Sequence, residues 1–186
     1  RQKGRRSQVV GVRVAVLQHP ERRRCYPVYL YLGAFAVIKL NIVAVGKLKE
    51  KYWREAVEEY AKRLQKYASF TVTEVEDLPD DGRQLDEEGK KILKKIKGFT
   101  VLLDIEGKAL SSEEIASLIA DKSVGGVSEF TFVIGGSRGV SAEVKSKADI
   151  AISFGKVTYP HQLMRVMLAE QLYRALTIIN GAGYHK

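Results

Sequence analysis

Apolar and polar positions recur along this chain with two periods, and the two take turns. Leu40 to Val45 (LNIVAV) is a short apolar run that stops at Gly46, the pattern of a buried strand. From Glu50 to Tyr67 the period lengthens, and Trp53, Val57, Tyr60, Ala61 and Leu64 stand at helical spacing with charges between them. Phe70 to Val75 alternates and is rich in β-branched residues, which predicts a second strand. Pro79-Asp80-Asp81-Gly82 has turn chemistry. The spacing then predicts a lysine-rich helix over Leu85–Lys97, with Ile92, Leu93 and Ile96 on its apolar stripe and Gly98 as its C-terminal cap. Phe99 to Asp104 predicts a third strand. Ser111 and Glu114 stand at capping-box spacing and open a further helix. Glu129 to Ile134 is a fourth strand that runs into Gly135-Gly136-Ser137-Arg138-Gly139, and Ser141 starts a short helix. Ala148 to Phe154 is a fifth strand. A last helix runs from Pro160, well suited to a first turn, to Ile179.

Strands separated by helices predict an α/β fold, with a parallel or mostly parallel sheet and helices on both faces. No internal repeat or low-complexity segment interrupts it. The last helix carries a second message. Leu163, Met164, Val166, Met167, Leu168, Leu172, Tyr173, Ala175, Leu176, Ile178 and Ile179 cover most of its circumference. Such a helix must be buried on more than one side. The sheet covers one side, and a two-fold homodimer is the expected cover for the other; burial inside a single subunit is the alternative.

Composition refines this reading. The chain has 186 residues, 45% hydrophobic and 28% charged, which suits one globular domain with a real core. The net charge of +9 points toward a nucleic-acid partner, but it is unevenly placed. Residues 1–38 hold eight basic residues and one acid, a local +7, so everything after them carries only +2. The single cysteine, Cys25, excludes an intrachain disulfide and a cysteine metal cluster, and a reducing cytosol is the expected compartment.

Residues 1–38 also differ in pattern. Arg22-Arg23-Arg24 precedes an apolar run to Ile38, and Ala34-Phe35-Ala36 imitates a signal-peptidase site. The run is too short for a comfortable membrane span. A secretory signal, a native extension packed on the domain, and a start that is mis-assigned or added by an expression vector compete here. The last is the expectation, because a complete α/β domain begins with the strand at Lys39, and Ile38 sits where an initiator methionine is expected. Residues 1–38 are therefore set aside as an extension, and residues 39–186 are read as one domain.

Within that domain the motifs exclude as much as they suggest. No G-x-G-x-x-G follows the first strand and no G-x-x-x-x-G-K-[ST] occurs, so dinucleotide and P-loop sites lack support. The segments Leu103–Gly107, Gly135–Gly139 and Gly155–Pro160 all leave strand ends, where open α/β sheets bind ligands, and they could converge on one pocket. Against this stands the reading of Gly135–Gly139 as a turn with only a folding role. His161 and His185 are the only histidines here, too few for a metal site, and no hydrolase triad signature is present. Tyr184-His185-Lys186 offers stacking, proton exchange and charge suited to a nucleobase and its phosphate, although chain termini are commonly frayed.

Lys39–Trp53 (KLNIVAVGKLKEKYW), Leu103–Gly107, Phe132–Ser137 (FVIGGS), Thr158–Ala175 (TYPHQLMRVMLAEQLYRA) and the terminal Tyr-His-Lys together resemble the ribosomal large-subunit pseudouridine N3-methyltransferases, the RlmH family of the SPOUT class. The resemblance covers essentially all of residues 39–186. It implies an α/β fold with a C-terminal trefoil knot, a homodimer, and S-adenosylmethionine as cofactor. It further implies methyl transfer to N3 of a pseudouridine in 23S ribosomal RNA of the large subunit or assembled ribosome, with no metal and no membrane. The family's cofactor positions fall on Leu103, Gly135, Phe154, Gly155, Lys156, Val157, Thr158 and Tyr159. His185 is the expected base, with Tyr184 stacking or hydrogen bonding. Arg165 and Lys186 are expected to meet phosphate or developing charge, and Arg138 to meet RNA. His161 is expected to orient the loop at the helix start. Gly155 departs from a serine common in the family, and Gly183 from a proline; both bear on loop shape. Two other functions fit less well: a non-catalytic knotted RNA- or nucleotide-binding module, and a methyltransferase with another RNA target.

Overall fold

The computed structural model of this chain describes residues 37–184. The expectations placed on residues 1–36 and on His185 and Lys186 lie outside the described residues.

Five strands and five helices alternate in order: β1 (Lys39–Val45), α1 (Lys51–Leu64), β2 (Ser69–Val75), α2 (Gln84–Leu93), β3 (Phe99–Ala109), α3 (Ser112–Val124), β4 (Glu129–Ile134), α4 (Ala142–Lys147), β5 (Ile150–Ser153) and α5 (His161–Ile179). The strands form one sheet in the order β2-β1-β4-β3-β5, and every pairing is parallel. The α/β expectation holds, and "mostly parallel" becomes wholly parallel. Two-residue periodicity sorts the strand residues between two cores. Leu40, Ile42 and Ala44 of β1, with Phe130, Phe132 and Ile134 of β4, face a core built by α1, α3 and α5. Val43, Val45, Leu102 and Val133 point the other way, onto α2 and α4 through Ile92 and Val144. The central strands read as unbroken apolar runs because both of their faces are covered.

The crossovers follow one rule. Connections through α1 and α3 step across the sheet in one direction, and those through α2 and α4 step in the other, on the opposite face. A single crossover hand requires that arrangement. β5 therefore ends on the far side of β3, and α5 returns to pack between α1 and α3. Leu168, Leu172, Ala175 and Leu176 anchor it in the larger core.

Two element ends differ from the periodic reading. The helix predicted to reach Lys97 stops at Leu93, with Lys94 as C-cap. Gly98 therefore does not cap it; it precedes β3 with φ +63°, and a side chain there would overlap the Glu129 carbonyl. β3 runs on to Ala109 because its pairing with β5 skips: Leu103 and Lys108 both face Ile152. The intervening residues bulge outward, and a Cβ on Gly107 would press on the β5 backbone. The fifth strand is shorter at both ends than its apolar pattern suggested. Among the described residues no helix is long and apolar enough to cross a membrane.

Gly98 and Gly82 separate packing from backbone conformation. Both have positive φ, but a Cβ on Gly82 meets nothing within 4 Å. Gly82→Ala is expected to cost about 1–2 kcal/mol and Gly98→Ala about 2–5 kcal/mol in urea unfolding. Equal losses would show that the contact with Glu129 is relieved by a small shift.

Candidate functional site

Parallel strands put all their carboxyl ends on one edge, and the order β4-β3-β5 makes three of those ends neighbours. The loops that leave them enclose a pocket of about 420 Å³. Leu103, Ile134, Ile152, Val140 and Met164 give it apolar walls, and Tyr159 adds an aromatic ring.

Glycine shapes two of the three loops. After β4, Gly136 and Gly139 exchange backbone hydrogen bonds of 3.1 and 3.0 Å, which folds the loop back on itself. A side chain at Gly135 would overlap the Gly139 carbonyl, so only glycine lets the turn close. After β5, Gly155 adopts φ +116° with open space around it, so the backbone conformation selects glycine there. The Ser153 hydroxyl donates to the Gly155 carbonyl at 2.9 Å and accepts from the Gly155 amide at 3.1 Å. That small ring fixes the start of the loop that continues to Tyr159.

Seven of the eight expected cofactor positions meet at this pocket: Leu103, Gly135, Phe154, Gly155, Val157, Thr158 and Tyr159. Lys156 belongs to the same run but is exposed and lies outside the lining. Val157 is 65% exposed, which marks the open mouth of the pocket. Arg138 stands at that mouth, and its guanidinium pairs with Asp80 of the β2–α2 loop.

Met164 and Lys145 line the pocket without having been singled out in the sequence. Met164 read only as part of an apolar helix. Asp104 and Lys145 are far apart in the chain and form a 2.7 Å ion pair at the pocket wall. The hydrogen bond from Lys145 holds the Asp104 carboxyl below its ordinary range, so it is ionised at neutral pH. His161 also borders the pocket. From the sequence it is expected to orient the loop at the helix start.

Arg165 corrects an expectation. It does not meet the pocket surface, being only 1% exposed. One terminal nitrogen donates to Glu74 Oε1 at 3.0 Å, and the other donates to the Val45 and Gly46 carbonyls at 2.7 and 2.8 Å. Burial lowers its pKa, opposed by Glu74, and its Nε has no protein partner. The group is an internal clamp between α5 and the ends of β1 and β2.

Tyr184 is not among the residues that line this pocket. Its ring packs edge-on against Tyr173 at 4.8 Å, under the Arg174 guanidinium, and its hydroxyl donates to Glu170 at 3.3 Å. Burial raises its pKa, so near neutral pH it is a hydrogen-bond donor and not a base. Of these neighbours, Glu170 borders a second cavity of about 660 Å³ between α1, the start of α3 and the outer side of α5. The two cavities share Ser153, Phe154 and Gly155.

Among the described residues no cluster of histidine, cysteine or acidic side chains could hold a metal ion. Residues 38–185 match the family model described as "Predicted SPOUT methyltransferase". The chain is 49% identical over 159 residues to the ribosomal RNA large subunit methyltransferase H of Carboxydothermus hydrogenoformans, covering 80% of this chain and all of that protein. It is 45% identical over 159 residues to the protein of the same name from Streptococcus pneumoniae, again covering 80% of this chain and all of the relative. Among solved structures, the tRNA (m1G37) methyltransferase of Aquifex aeolicus superposes with a TM-score of 0.50 at 14% identity, covering 81% of this chain and 74% of that one, a likeness of fold alone. The chain belongs to the SPOUT methyltransferase family, in the group of the ribosomal RNA large subunit methyltransferase H proteins.

Proposed function

We propose that this chain is a homodimeric methyltransferase that uses S-adenosylmethionine to methylate N3 of a pseudouridine in 23S ribosomal RNA, with the large subunit or assembled ribosome as substrate. The observation that carries the reading is the meeting of three strand-end loops on one pocket whose turn at Gly135 admits no side chain. Its volume lies within the usual range for small-molecule sites. Its apolar walls suit an adenine ring, and its exposed loop backbone suits the polar edges of adenosine and methionine. The expected residues Leu103, Gly135 and Phe154 to Tyr159 would hold the cofactor, with Lys156 turned to solvent.

When bound, the cofactor supplies an electrophilic methyl group on a sulfonium whose leaving group is a neutral thioether. The protein's work is then to place the nucleobase nitrogen in line with that methyl and to remove the N3 proton. His185 is the proposed proton acceptor, and Tyr184, a neutral phenol, the proposed hydrogen-bond or stacking partner. Lys186 and Arg138 are the proposed RNA contacts, Arg138 once its pairing with Asp80 opens. Arg165 is assigned a positioning role only.

The dimer accounts for the outer side of α5. Val166 and Met167 remain half-buried beside the larger cavity, and a second copy would cover them. Tyr184 lies next to that cavity and not in its own subunit's pocket, which favours a tail that serves the partner's site. The return of α5 from the β5 edge to the α1–α3 side suits the proposed trefoil knot. Residues 1–38 are proposed to be dispensable for all of this.

Calorimetric titration with S-adenosylmethionine is expected to give one site per subunit on a dimeric sample. Gly135→Ala should weaken that binding by about tenfold or more, since the Gly139 carbonyl must move by an amount worth roughly 1.4 kcal/mol. A folded dimer that bound no cofactor, even with ribosomes present, would instead favour a non-catalytic binding module. His185→Ala should lower methylation of ribosomes by about 10²-fold or more with cofactor affinity intact; unchanged activity would remove His185 from the mechanism. Mixing chains carrying Gly135→Val with chains lacking residues 184–186 should restore activity if sites are shared, and no recovery would place each site within one subunit.

A further inference from the structure

We propose that the β1–α1 connection, Gly46 to Lys51, is a phosphate-binding edge that seats ribosomal RNA beside the cofactor pocket through Lys47, Lys49 and Lys51. The inference rests on the methyltransferase function proposed above and adds a substrate surface to it.

Exposed loops are ordinarily the mobile part of a fold. This one is tied at almost every residue. The Gly46 amide donates to the Val75 carbonyl at 2.7 Å. The Leu48 amide donates to Glu74 Oε1 at 2.7 Å, and the Lys49 amide to Gln162 Oε1 at 2.8 Å. Arg54 reaches back from α1 to the Leu48 and Lys49 carbonyls at 3.0 and 2.8 Å. Arg165 holds the Val45 and Gly46 carbonyls from below. A buried guanidinium carries a desolvation cost of several kcal/mol before its partners offset it.

The tied backbone carries free charge. Lys47, Lys49 and Lys51 are exposed. Lys51 has only a loose 3.5 Å pair with Glu55, itself open to solvent, and such pairs hold little energy. Lys49 makes no ion pair among the described residues. Glu50 is the one acid in the segment itself; of the acids that border it, Glu74 is held by Arg165 and Glu76 by Lys91, while Asp77 lies against Gly46. The location is also specific. Gln162, which holds Lys49, sits in the first turn of α5 directly after His161, a residue of the pocket wall. The loop is thus tied to the residue that follows a pocket-wall histidine.

Lysines on a fixed backbone act as point charges, which suit phosphates that set register while bases are read elsewhere. The overall charge outside residues 1–38 is only +2, so a local cluster matters more here than on a generally basic protein. Arg138, across the same pocket, is already neutralised by Asp80.

The test uses the full chain with Lys47, Lys49 and Lys51 all changed to alanine. Cofactor affinity by calorimetry and kcat on purified large ribosomal subunits are expected to match the unaltered chain. KM for those subunits should rise about tenfold or more near physiological salt, and the dependence of log(kcat/KM) on log salt should flatten by about 2–3. Unchanged KM and slope in an otherwise active enzyme would overturn the assignment and leave the methyltransferase reading standing. An unaltered chain that neither binds S-adenosylmethionine nor methylates ribosomal particles would overturn both. A photoreactive group on Lys49→Cys, in a Cys25→Ser background, should crosslink to ribosomal RNA; capture of ribosomal protein alone would replace RNA with an acidic protein surface and end the proposal.

Discussion

Arg165 brings a positive charge into the interior, and the rest of the carboxyl edge is arranged around satisfying it. At 1% exposure the guanidinium has lost its water, and an unpaired buried cation would cost several kcal/mol. Glu74 and the Val45 and Gly46 carbonyls offset that cost only if the end of β2, the end of β1 and the first turns of α5 come together. The position of α5 then sets the gap that the loop after β5 must span, and that loop is one wall of the pocket. The same Glu74 oxygen also accepts from the Leu48 amide, so the neighbouring loop is fixed by the same group.

The pocket itself depends on backbone more than on side-chain chemistry. Its position follows from strand order: β3, β4 and β5 are adjacent and parallel, so their carboxyl ends form a row. The skipped register between β3 and β5 moves residues Asp104 to Gly107 outward and widens the row into a cavity. A site of this kind is sensitive to where a Cβ is added and tolerant of what the surrounding side chains are. This fits a cofactor that arrives already activated, for which placement matters more than acid–base machinery at the methyl donor.

The two cavities share the Ser153–Gly155 turn, which gives the proposed dimer a mechanical consequence. A second copy seated along the outer side of α5 bears on the turn that begins the cofactor loop. Tyr184, held by Glu170, Tyr173 and Arg174, adjoins the same groove through Glu170. The cofactor pocket and the proposed dimer face then meet at one turn.

The amino-acid sequence by itself determined the elements, because burial imposes a period on every strand and helix. The runs Leu40–Val45 and Glu129–Ile134, the capping box at Ser111 and the mostly apolar last helix all appear where their patterns placed them. It also marked the three strand-end segments, since glycine runs after a strand are local signals. Tertiary structure alone decided what had no local signature. Whether Arg165 points to substrate or to Glu74 depends on a partner 91 residues away. The Asp104–Lys145 pair and the role of Gly98 against Glu129 likewise arise from contacts between elements far apart in the chain. Periodicity reports how a residue relates to its own element, whereas a charge finds its partner only after the strands have been ordered.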